Sequence, residues 1–382
     1  MAINLALLSG KGGSGKTTLA LSLAQLLALC KKRVLLIDCD MSTHGATYFF
    51  EDVLGEKDHF FTFADMIMDD KNSAGESNDK VFFNLEPFPH LHFMPSCAKF
   101  PFSFDYDLKS DEKSRIRFKE LAQSYDVVIF DCQAGYNNIN EFILELSDKN
   151  LLVLEPDAVS VISVRVLYSQ CLTQLNEKKT YQVFSKVLPE EYEPYKNIPH
   201  GTFFPNLDPI SFDFSVRAAF SSCTIPEINE NNPRLTDEIC GLAISLFPTF
   251  KMDLQKYMFS VKKTLLKLTE TKTLKILTER KKKFNEKIVF MLIPTVSLVF
   301  SIFFLIYISI KYISIKEIYG DMYFAFWCGL VAVLSSFIYY IIKKRESTNI
   351  ITSKYDWVLD QQKLKREIEN LYSILYQKQD DM

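Results

Sequence analysis

Residues 9–18 have the residue types and the spacing of a phosphate-binding loop. Glycines in such a loop allow consecutive backbone N–H groups to turn toward a polyphosphate. The Lys16 ammonium is placed to neutralise the β and γ phosphates, and the Thr17 hydroxyl is placed to bind Mg²⁺. The stretch therefore predicts ATP and Mg²⁺ as cofactors. The predicted cofactor-binding residues of the loop are Gly10, Lys11, Gly12, Gly13, Ser14, Gly15, Lys16, Thr17 and Thr18.

The segments on either side of this loop are the ones that a phosphate-binding loop requires. An apolar run over residues 3–8 precedes it, and a helical pattern over residues 19–29 follows it. A helix that begins near Lys16 directs the positive end of its dipole at the phosphates. The order strand, loop and helix is the structural context in which this motif binds a nucleotide.

Four short apolar runs indicate the fold. They cover residues 3–8, 34–38, 126–130 and 151–154, and helical stretches separate them. This alternation predicts an α/β fold, a doubly wound and mostly parallel sheet whose strands are buried on both faces. Ligands of such sheets bind at the carboxyl ends of the strands.

Carboxylates stand at the ends of two of these runs. Asp38 and Asp40 come at the end of the second run, and Asp131 follows the third. An acid at the end of a buried strand beside a phosphate loop is the usual means of holding Mg²⁺. We therefore expect a magnesium site at this edge of the sheet.

The stretch from Lys11 to Thr18 resembles the deviant Walker A motif of the ParA/MinD ATPases. The resemblance covers roughly residues 2–248 and is strongest at the phosphate and Mg²⁺ motifs. It implies a P-loop NTPase domain, here residues 1–250, in which Lys11 reaches across a nucleotide-sandwich dimer to the phosphates of the second copy.

The same resemblance implies roles for the acids. Asp131 matches the Walker B aspartate, Asp40 matches the switch I aspartate that orients or activates the attacking water, and Asp38 matches a neighbouring acid near Mg²⁺. The implied metal ligands are Thr17, Asp38 and Asp131. The implied catalytic residues are Lys11, Lys16 and Asp40.

Two departures from the pattern of that family bear on catalysis. After the switch I acid the family usually has Pro-Gln-Gly-Asn-Ala-Thr, whereas residues 41–47 read Met-Ser-Thr-His-Gly-Ala-Thr, which is one residue longer. His44 in this stretch is either a γ-phosphate contact or a solvated loop residue. Ser185 stands where the family has an adenine-reading asparagine, and it is the predicted base contact. The sequence leaves the hydrolysis rate and the base selectivity open.

Charge is divided unevenly along the 382 residues. Residues 1–250 hold 22 Lys+Arg against 34 Asp+Glu, a net charge of −12. An acidic surface repels a phosphate backbone, which argues against nucleic acid as a partner. The eight cysteines are scattered and lack the spacing of a metal site, a pattern that is typical of reduced thiols.

Residues 251–287 are predicted to form a basic, amphipathic juxtamembrane helix. They hold 12 Lys+Arg against 4 Asp+Glu. Two interpretations stay open, because the apolar face of such a helix packs back on the preceding domain or binds a partner or a membrane. The apolar residues that recur at helical spacing are Leu254, Met258, Val261, Leu265 and Leu268.

Two uncharged stretches follow, residues 288–310 and residues 322–342. At ~1.5 Å rise per residue each is long enough to cross ~30 Å of hydrocarbon, so both are predicted transmembrane helices. Basic clusters before the first and after the second place both ends inside, and the 311–321 loop outside. We expect a multi-pass protein of the bacterial inner (cytoplasmic) membrane with cytoplasmic N- and C-termini.

The last segment, residues 343–382, is predicted to form a cytosolic helix. Its seam residues alternate at spacings of four and three between Trp357 and Leu375. Such a short heptad seam suits either a coiled coil or docking on a partner.

These features together predict a membrane-anchored ATPase switch. ATP-dependent homodimerisation and hydrolysis would recruit, position or activate a protein partner or cargo, with the two spans holding the chain in the lipid bilayer. One alternative is a phosphotransferase like the bacterial tyrosine kinases, which tyrosines such as Tyr355 support. Another is ATP-gated electron transfer through a cluster on Cys97 and Cys132. The last is a nucleotide-binding membrane scaffold or defence-system sensor with little turnover.

Overall fold

The computed structural model describes the chain in several ranges. The described residues fall into two compact units, one that ends at Lys262 and one that begins at Lys263. The first unit contains the candidate site. The described ranges are residues 2–50, 54, 61–67, 83–84, 88–97, 112–171, 174–191, 194–195, 204–271, 275, 278–279, 281–282 and 363–370.

A single sheet forms the centre of the first unit. Its strands, within the described ranges, are β1 (Ile3–Leu8), β2 (Val34–Asp38), β3 (Phe83–Asn84), β4 (Leu91–Met94), β5 (Val127–Asp131), β6 (Lys149–Leu154) and β7 (Thr180–Phe184). Their order across the sheet is β3-β4-β2-β5-β1-β6-β7. All neighbours are parallel except β3, which runs antiparallel to β4 at one edge. The six parallel strands therefore all end on the same side of the sheet, which we call its carboxyl edge.

Helices lie between the strands and after the last of them. Those between strands are α1 (Lys16–Leu29), α2 (Gly45–Tyr48), α3 (Phe63–Ile67), α4 (Glu112–Ala122), α5 (Asn138–Leu146) and α6 (Ala158–Gln170), and those after β7 are α7 (Phe214–Ser221), α8 (Pro233–Leu246) and α9, which covers residues 251–271. Three of them begin where a side chain caps the first turn. Asn137, Asp157 and Asp213 each accept a hydrogen bond from a backbone N–H of that turn.

Two apolar layers cover the two faces of the sheet. Helices α1 and α8 pack on one face, and helices α4, α5 and α6 pack on the other. Every residue of β2 and β5 is buried, which explains why these strands are continuous rather than alternating apolar runs. The predicted α/β fold with a mostly parallel sheet is confirmed, with the antiparallel β3 as its exception.

The first turns of α9 belong to the first unit and pack on its core. Leu254 is fully buried, and Tyr257 and Met258 pack against the apolar layer on the α1 face. The Asp253 carboxylate lies 2.6 Å from the Lys32 ammonium, and Tyr257 donates a hydrogen bond to the Ile228 carbonyl. Of the two interpretations of this amphipathic helix, packing on the preceding domain is the one observed for these turns.

The predicted spans, residues 288–310 and 322–342, and the 311–321 loop between them lie outside the described residues. Within the part of the chain that the structure describes, no helix combines the length and the apolar character that crossing a bilayer requires. Of the predicted cytosolic segment 343–382, residues 363–370 are described, and they are helical.

Candidate nucleotide-binding site

The predicted phosphate loop joins β1 to α1, at the carboxyl edge of the sheet. Gly13 and Gly15 have positive φ angles of 80° and 94°, a conformation that residues with a side chain rarely adopt. Gly15 also precedes the first residue of α1, and a Cβ at this position would lie 3.0 Å from the Ser185 hydroxyl oxygen. Glycine at position 15 thus satisfies both the backbone turn and the close approach of Ser185.

The loop packs closely on helix α6 at its other end. A Cβ at Gly10 would lie 2.3 Å from the backbone carbonyl carbon of Ser163, too close for any side chain. A Cβ at Gly12, by contrast, would have no atom of the described residues within 4 Å, and Gly12 itself is exposed. One end of the loop is therefore fixed against α6, while its tip is open.

Two buried polar atoms of the site have no hydrogen-bond partner within the described chain, the Ser14 hydroxyl oxygen and Oδ1 of Asp131. Buried polar atoms are nearly always paired, so a ligand that brings its own partners fits here. A phosphate oxygen would accept from Ser14, and a cation or its water would satisfy Asp131. Lys16, which is buried in the first turn of α1, supplies the positive charge beside them.

The two strand-end acids lie side by side. Asp38 and Asp131 are paired in register at the ends of β2 and β5, and both are buried. Burial raises the pKa of Asp38, and the Asp131 carboxylate raises it further. Burial also raises the pKa of Asp131, while the nearby Lys16 and a hydrogen bond from Thr17 oppose that increase. Two desolvated carboxylates beside a hydroxyl form a donor set of hard oxygens that suits Mg²⁺.

Asp40, the predicted switch I acid, is held by the turn that follows it. Its carboxylate accepts hydrogen bonds from the hydroxyls of Ser42 and Thr43, at 2.8 and 2.6 Å, and from both backbone N–H groups. Burial raises the pKa of Asp40, but these hydrogen bonds outweigh burial and hold the pKa below its usual value. Asp40 is therefore ionised, with one oxygen that accepts three hydrogen bonds from its own loop and a second that accepts one.

Two roles were considered for His44, a γ-phosphate contact and a solvated loop residue, and the second is wrong. His44 is buried, and its Nδ1 lies 2.6 Å from the Ser96 hydroxyl oxygen. The next residue, Gly45, begins α2 and approaches the predicted metal ligand Thr17, because a Cβ at Gly45 would lie 3.4 Å from the Thr17 hydroxyl oxygen. Residues 40–48 thus cover the metal side of the site.

A second charged cluster lies at the open end of the loop. The Lys11 ammonium lies 2.6 Å from Glu155 and 2.8 Å from Asp157. The Lys186 ammonium lies 2.8 Å from the other Glu155 oxygen and donates to the Gly13 carbonyl. The hydrogen bonds that Lys11 donates to Asp157 and Glu155 raise the pKa of Lys11, so this side chain stays charged. We call these four side chains the lysine cluster.

The structure brings together all the residues that were predicted from the sequence, namely the loop with Lys11 and Lys16, the acids Asp38, Asp40 and Asp131, and Ser185 beside Gly15. Sequence reasoning missed Glu155, Asp157 and Lys186 as members of the site. Their positions gave a signal, because Glu155 directly follows β6 and Lys186 follows β7, at the carboxyl ends of parallel strands.

Residues 3–183 match the family model described as an AAA domain. The septum site-determining protein MinD of Bacillus subtilis (strain 168) is 30% identical over 155 residues, which are 40% of this chain and 53% of that protein. The chain spans about half the length of the curated relatives that it matches.

Solved structures share the fold. The MinD cell division protein of Aquifex aeolicus aligns with a TM-score of 0.51 at 19% identity, over 65% of this chain and 97% of its own. A ParA family ATPase of Chlorobium tepidum TLS aligns with a TM-score of 0.50 at 19% identity, over 64% and 99%. The chain is thus similar to the AAA domain family model over residues 3–183 and to septum site-determining protein MinD, and it shares the fold of these two solved structures.

Proposed function

We propose that this chain is a membrane-anchored ATPase whose ATP-dependent dimerisation and hydrolysis act as a switch that recruits, positions or activates a partner complex. The observation that carries the proposal is the buried pair Asp38 and Asp131 beside Lys16. Two desolvated carboxylates at the base of a phosphate loop are costly without a cation, and Mg²⁺ with a nucleotide supplies one.

The residues of the site divide the work of binding. The backbone of the loop and Lys16 hold the phosphates, and Thr17, Asp38 and Asp131 hold Mg²⁺, which supplies charge neutralisation on the phosphate oxygens. Ser185, whose hydroxyl oxygen approaches Gly15, would contact the base. Asp40 orients the attacking water once its turn has opened.

Dimerisation rests on Lys11. Its ammonium is only partly buried, and ion pairs to Glu155 and Asp157 hold it beside its own loop. Such pairs are weak enough to exchange, because solvent screens them. We propose that the phosphates of a nucleotide bound by a second copy take over Lys11, which closes the dimer.

The membrane part of the proposal rests on the uncharged stretches 288–310 and 322–342. They would anchor the chain in the bacterial inner membrane with both termini in the cytoplasm and confine two copies to one plane, which raises their effective concentration. The acidic charge of residues 1–250 favours a protein partner over nucleic acid.

The test is steady-state ATP hydrolysis by the detergent-purified full chain, with the oligomer mass recorded in ATP. Lys16→Ala, Lys11→Ala and Asp40→Ala should each lose turnover, and Asp40→Ala should remain an ATP-bound dimer. Lys178→Ala, an exposed lysine on the turn before β7, is the matched control and should hydrolyse ATP as the wild type does. A wild-type chain with neither turnover nor an ATP-dependent dimer would refute the proposal.

A second candidate is a nucleotide-binding membrane scaffold with little turnover. The four hydrogen bonds that the Asp40 carboxylate accepts from Ser42 and Thr43 favour it, because they occupy most of the acceptor sites with which Asp40 could orient water. An ATP-dependent dimer in the wild type without measurable hydrolysis would select this alternative.

A further inference from the structure

A buried chain of hydrogen bonds links the loop over the metal side of the site to the end of β4. His44 Nδ1 lies 2.6 Å from the Ser96 hydroxyl oxygen, which lies 3.2 Å from the Thr47 hydroxyl oxygen. The Thr47 hydroxyl lies 2.7 Å from Oδ2 of Asp38. All four side chains are at least nine-tenths buried. We call this series the polar relay.

The acceptor at its end fixes the direction of the relay. The Thr47 hydroxyl donates to Oδ2 of Asp38, which also accepts from the Thr47 backbone N–H at 2.8 Å. The Thr47 oxygen then accepts from the backbone N–H of Ser96, at 3.2 Å, and from its hydroxyl. The Ser96 oxygen faces Nδ1 of His44, which also lies 3.7 Å from the Cys97 sulfur. Burial lowers the pKa of His44, in keeping with a neutral ring.

The relay also sets the position of the backbone. His44 has a positive φ of 52°, directly before the first residue of α2. Its N–H donates to the Asp40 carbonyl at 2.9 Å, which closes the loop. The bond to Ser96 thus docks this loop on the sheet at the point where Gly45 approaches the Thr17 hydroxyl.

We propose that His44 and Ser96 are positioning residues for the Mg²⁺ site. They hold Thr47 so that it orients Asp38, and they hold Gly45 over Thr17, without touching the nucleotide themselves. The inference rests on the proposed function, since it concerns the same site. It also gives a role to the stretch 41–47, where the chain departs from the ParA/MinD pattern.

The test uses the full chain in detergent with the variants His44→Ala and Ser96→Ala. Equilibrium binding of a fluorescent ATP analogue is titrated with Mg²⁺, and hydrogen exchange of residues 44–48 is followed in metal-free protein. Each variant should need about tenfold more Mg²⁺ for half-maximal binding, the effect of a lost buried hydrogen bond. Binding of the analogue without Mg²⁺ should not change, and exchange of residues 44–48 should become faster.

Two further variants separate positioning from a general loss of structure. His44→Asn should restore the Mg²⁺ requirement to within about twofold, because asparagine tolerates a positive φ and offers an amide near the place of Nδ1. His92→Ala is the matched control. His92 is a partly buried histidine on β4 whose Nδ1 lies 2.8 Å from the Tyr125 hydroxyl, and its loss should leave the Mg²⁺ requirement unchanged.

Two outcomes would contradict the positioning role but not the proposed function, because in both the wild type still binds the analogue in a Mg²⁺-dependent manner. In the first, His44→Ala and Ser96→Ala need no more Mg²⁺ than the wild type. In the second, His44→Asn is as impaired as His44→Ala. A wild type that shows no such binding would instead refute the proposed function.

Discussion

The site contains two groups of charges that differ in how completely they are satisfied. In the buried group, Asp38 and Asp131 share a desolvated space with Lys16, and one Asp131 oxygen has no partner among the described residues. In the lysine cluster, Lys11 and Lys186 are each matched by a carboxylate and remain partly in contact with solvent.

This difference separates two kinds of work. A buried group with an unpaired oxygen is stabilised by a bound cation, because the cation supplies the partner that this oxygen lacks. An exposed group whose charges already balance gains little from a ligand, but it exchanges partners at low cost. We infer that the buried group binds the cofactor and that the lysine cluster provides the switch.

The largest expected effect comes from Asp131→Asn. Removing one of the two buried carboxylates should lower Mg²⁺-dependent ATP hydrolysis about 100-fold or more, because a ligand of the metal is lost. The same change should stabilise the metal-free chain by about 1 kcal/mol, since burial raises the pKa of both acids and so opposes their charged forms. Thermal unfolding in EDTA and ATPase assays measure the two effects.

The control for Asp131→Asn is Asp148→Asn. The Asp148 carboxylate accepts from the Asn4 N–H at 2.9 Å at an exposed place near the amino end of β6, so this change should bring no gain in stability. If Asp131→Asn melts no higher than the wild type in EDTA, the buried carboxylates do not destabilise the metal-free chain. The buried group would then not differ from the lysine cluster in the way we infer.

The phosphate loop also has two different parts, an end that packs on α6 and a tip with open space around it. Gly10→Ala places a Cβ against the Ser163 backbone and should destabilise the nucleotide-free chain by about 1–3 kcal/mol. Gly12→Ala has open space around its Cβ and should unfold at the temperature of the wild type. Equal melting temperatures for the two variants would show that the loop is not fixed against α6.

The parts of the fold that the sequence predicts are those whose structure is decided locally. The apolar runs 3–8, 34–38 and 151–154 fall on strands, and the run 126–130 matches β5 to within one residue, because buried parallel strands need continuous apolar residues. Strands β3, β4 and β7 were not predicted. Strands β4 and β7 each carry an interior polar residue with a tertiary partner, since His92 bonds Tyr125 and Gln182 bonds Asn206.

The difference between local and tertiary features also explains which residues of the site could be predicted from the sequence. The loop and the strand-end acids were identified because their chemistry depends on residues close together in sequence. The partners that hold them lie far along the chain, as Glu155 does from Lys11 and Ser96 does from His44. Only the packing of β4 and β6 into the sheet brings these groups together, and one sequence does not encode that proximity in a spacing.

The smallest expected effect, and the one that most sharpens the comparison, comes from Glu155→Gln in the lysine cluster. This change leaves Lys11 with Asp157 alone and should allow the ATP-dependent dimer to form at a two- to fivefold lower protein concentration, because a partly exposed ion pair contributes on the order of 0.5 kcal/mol. Added salt should favour the wild-type dimer more than the variant dimer, since salt already weakens the pair that the variant lacks. Mass photometry across protein and salt concentrations measures both.

Asp126→Asn provides the matched control for this charge change. Asp126 forms a partly exposed ion pair with Arg33 at 3.1 Å, directly before β5 and so at the opposite edge of the sheet from the phosphate loop. Removing this pair should leave the dimerisation threshold and its salt dependence unchanged. A dimer that forms in ATP with the same threshold in the wild type and in Glu155→Gln would mean that Glu155 does not restrain Lys11. The lysine cluster would then be a structural ion-pair network, and the change that allows dimerisation would have to start at Asp38, Asp131 and Lys16.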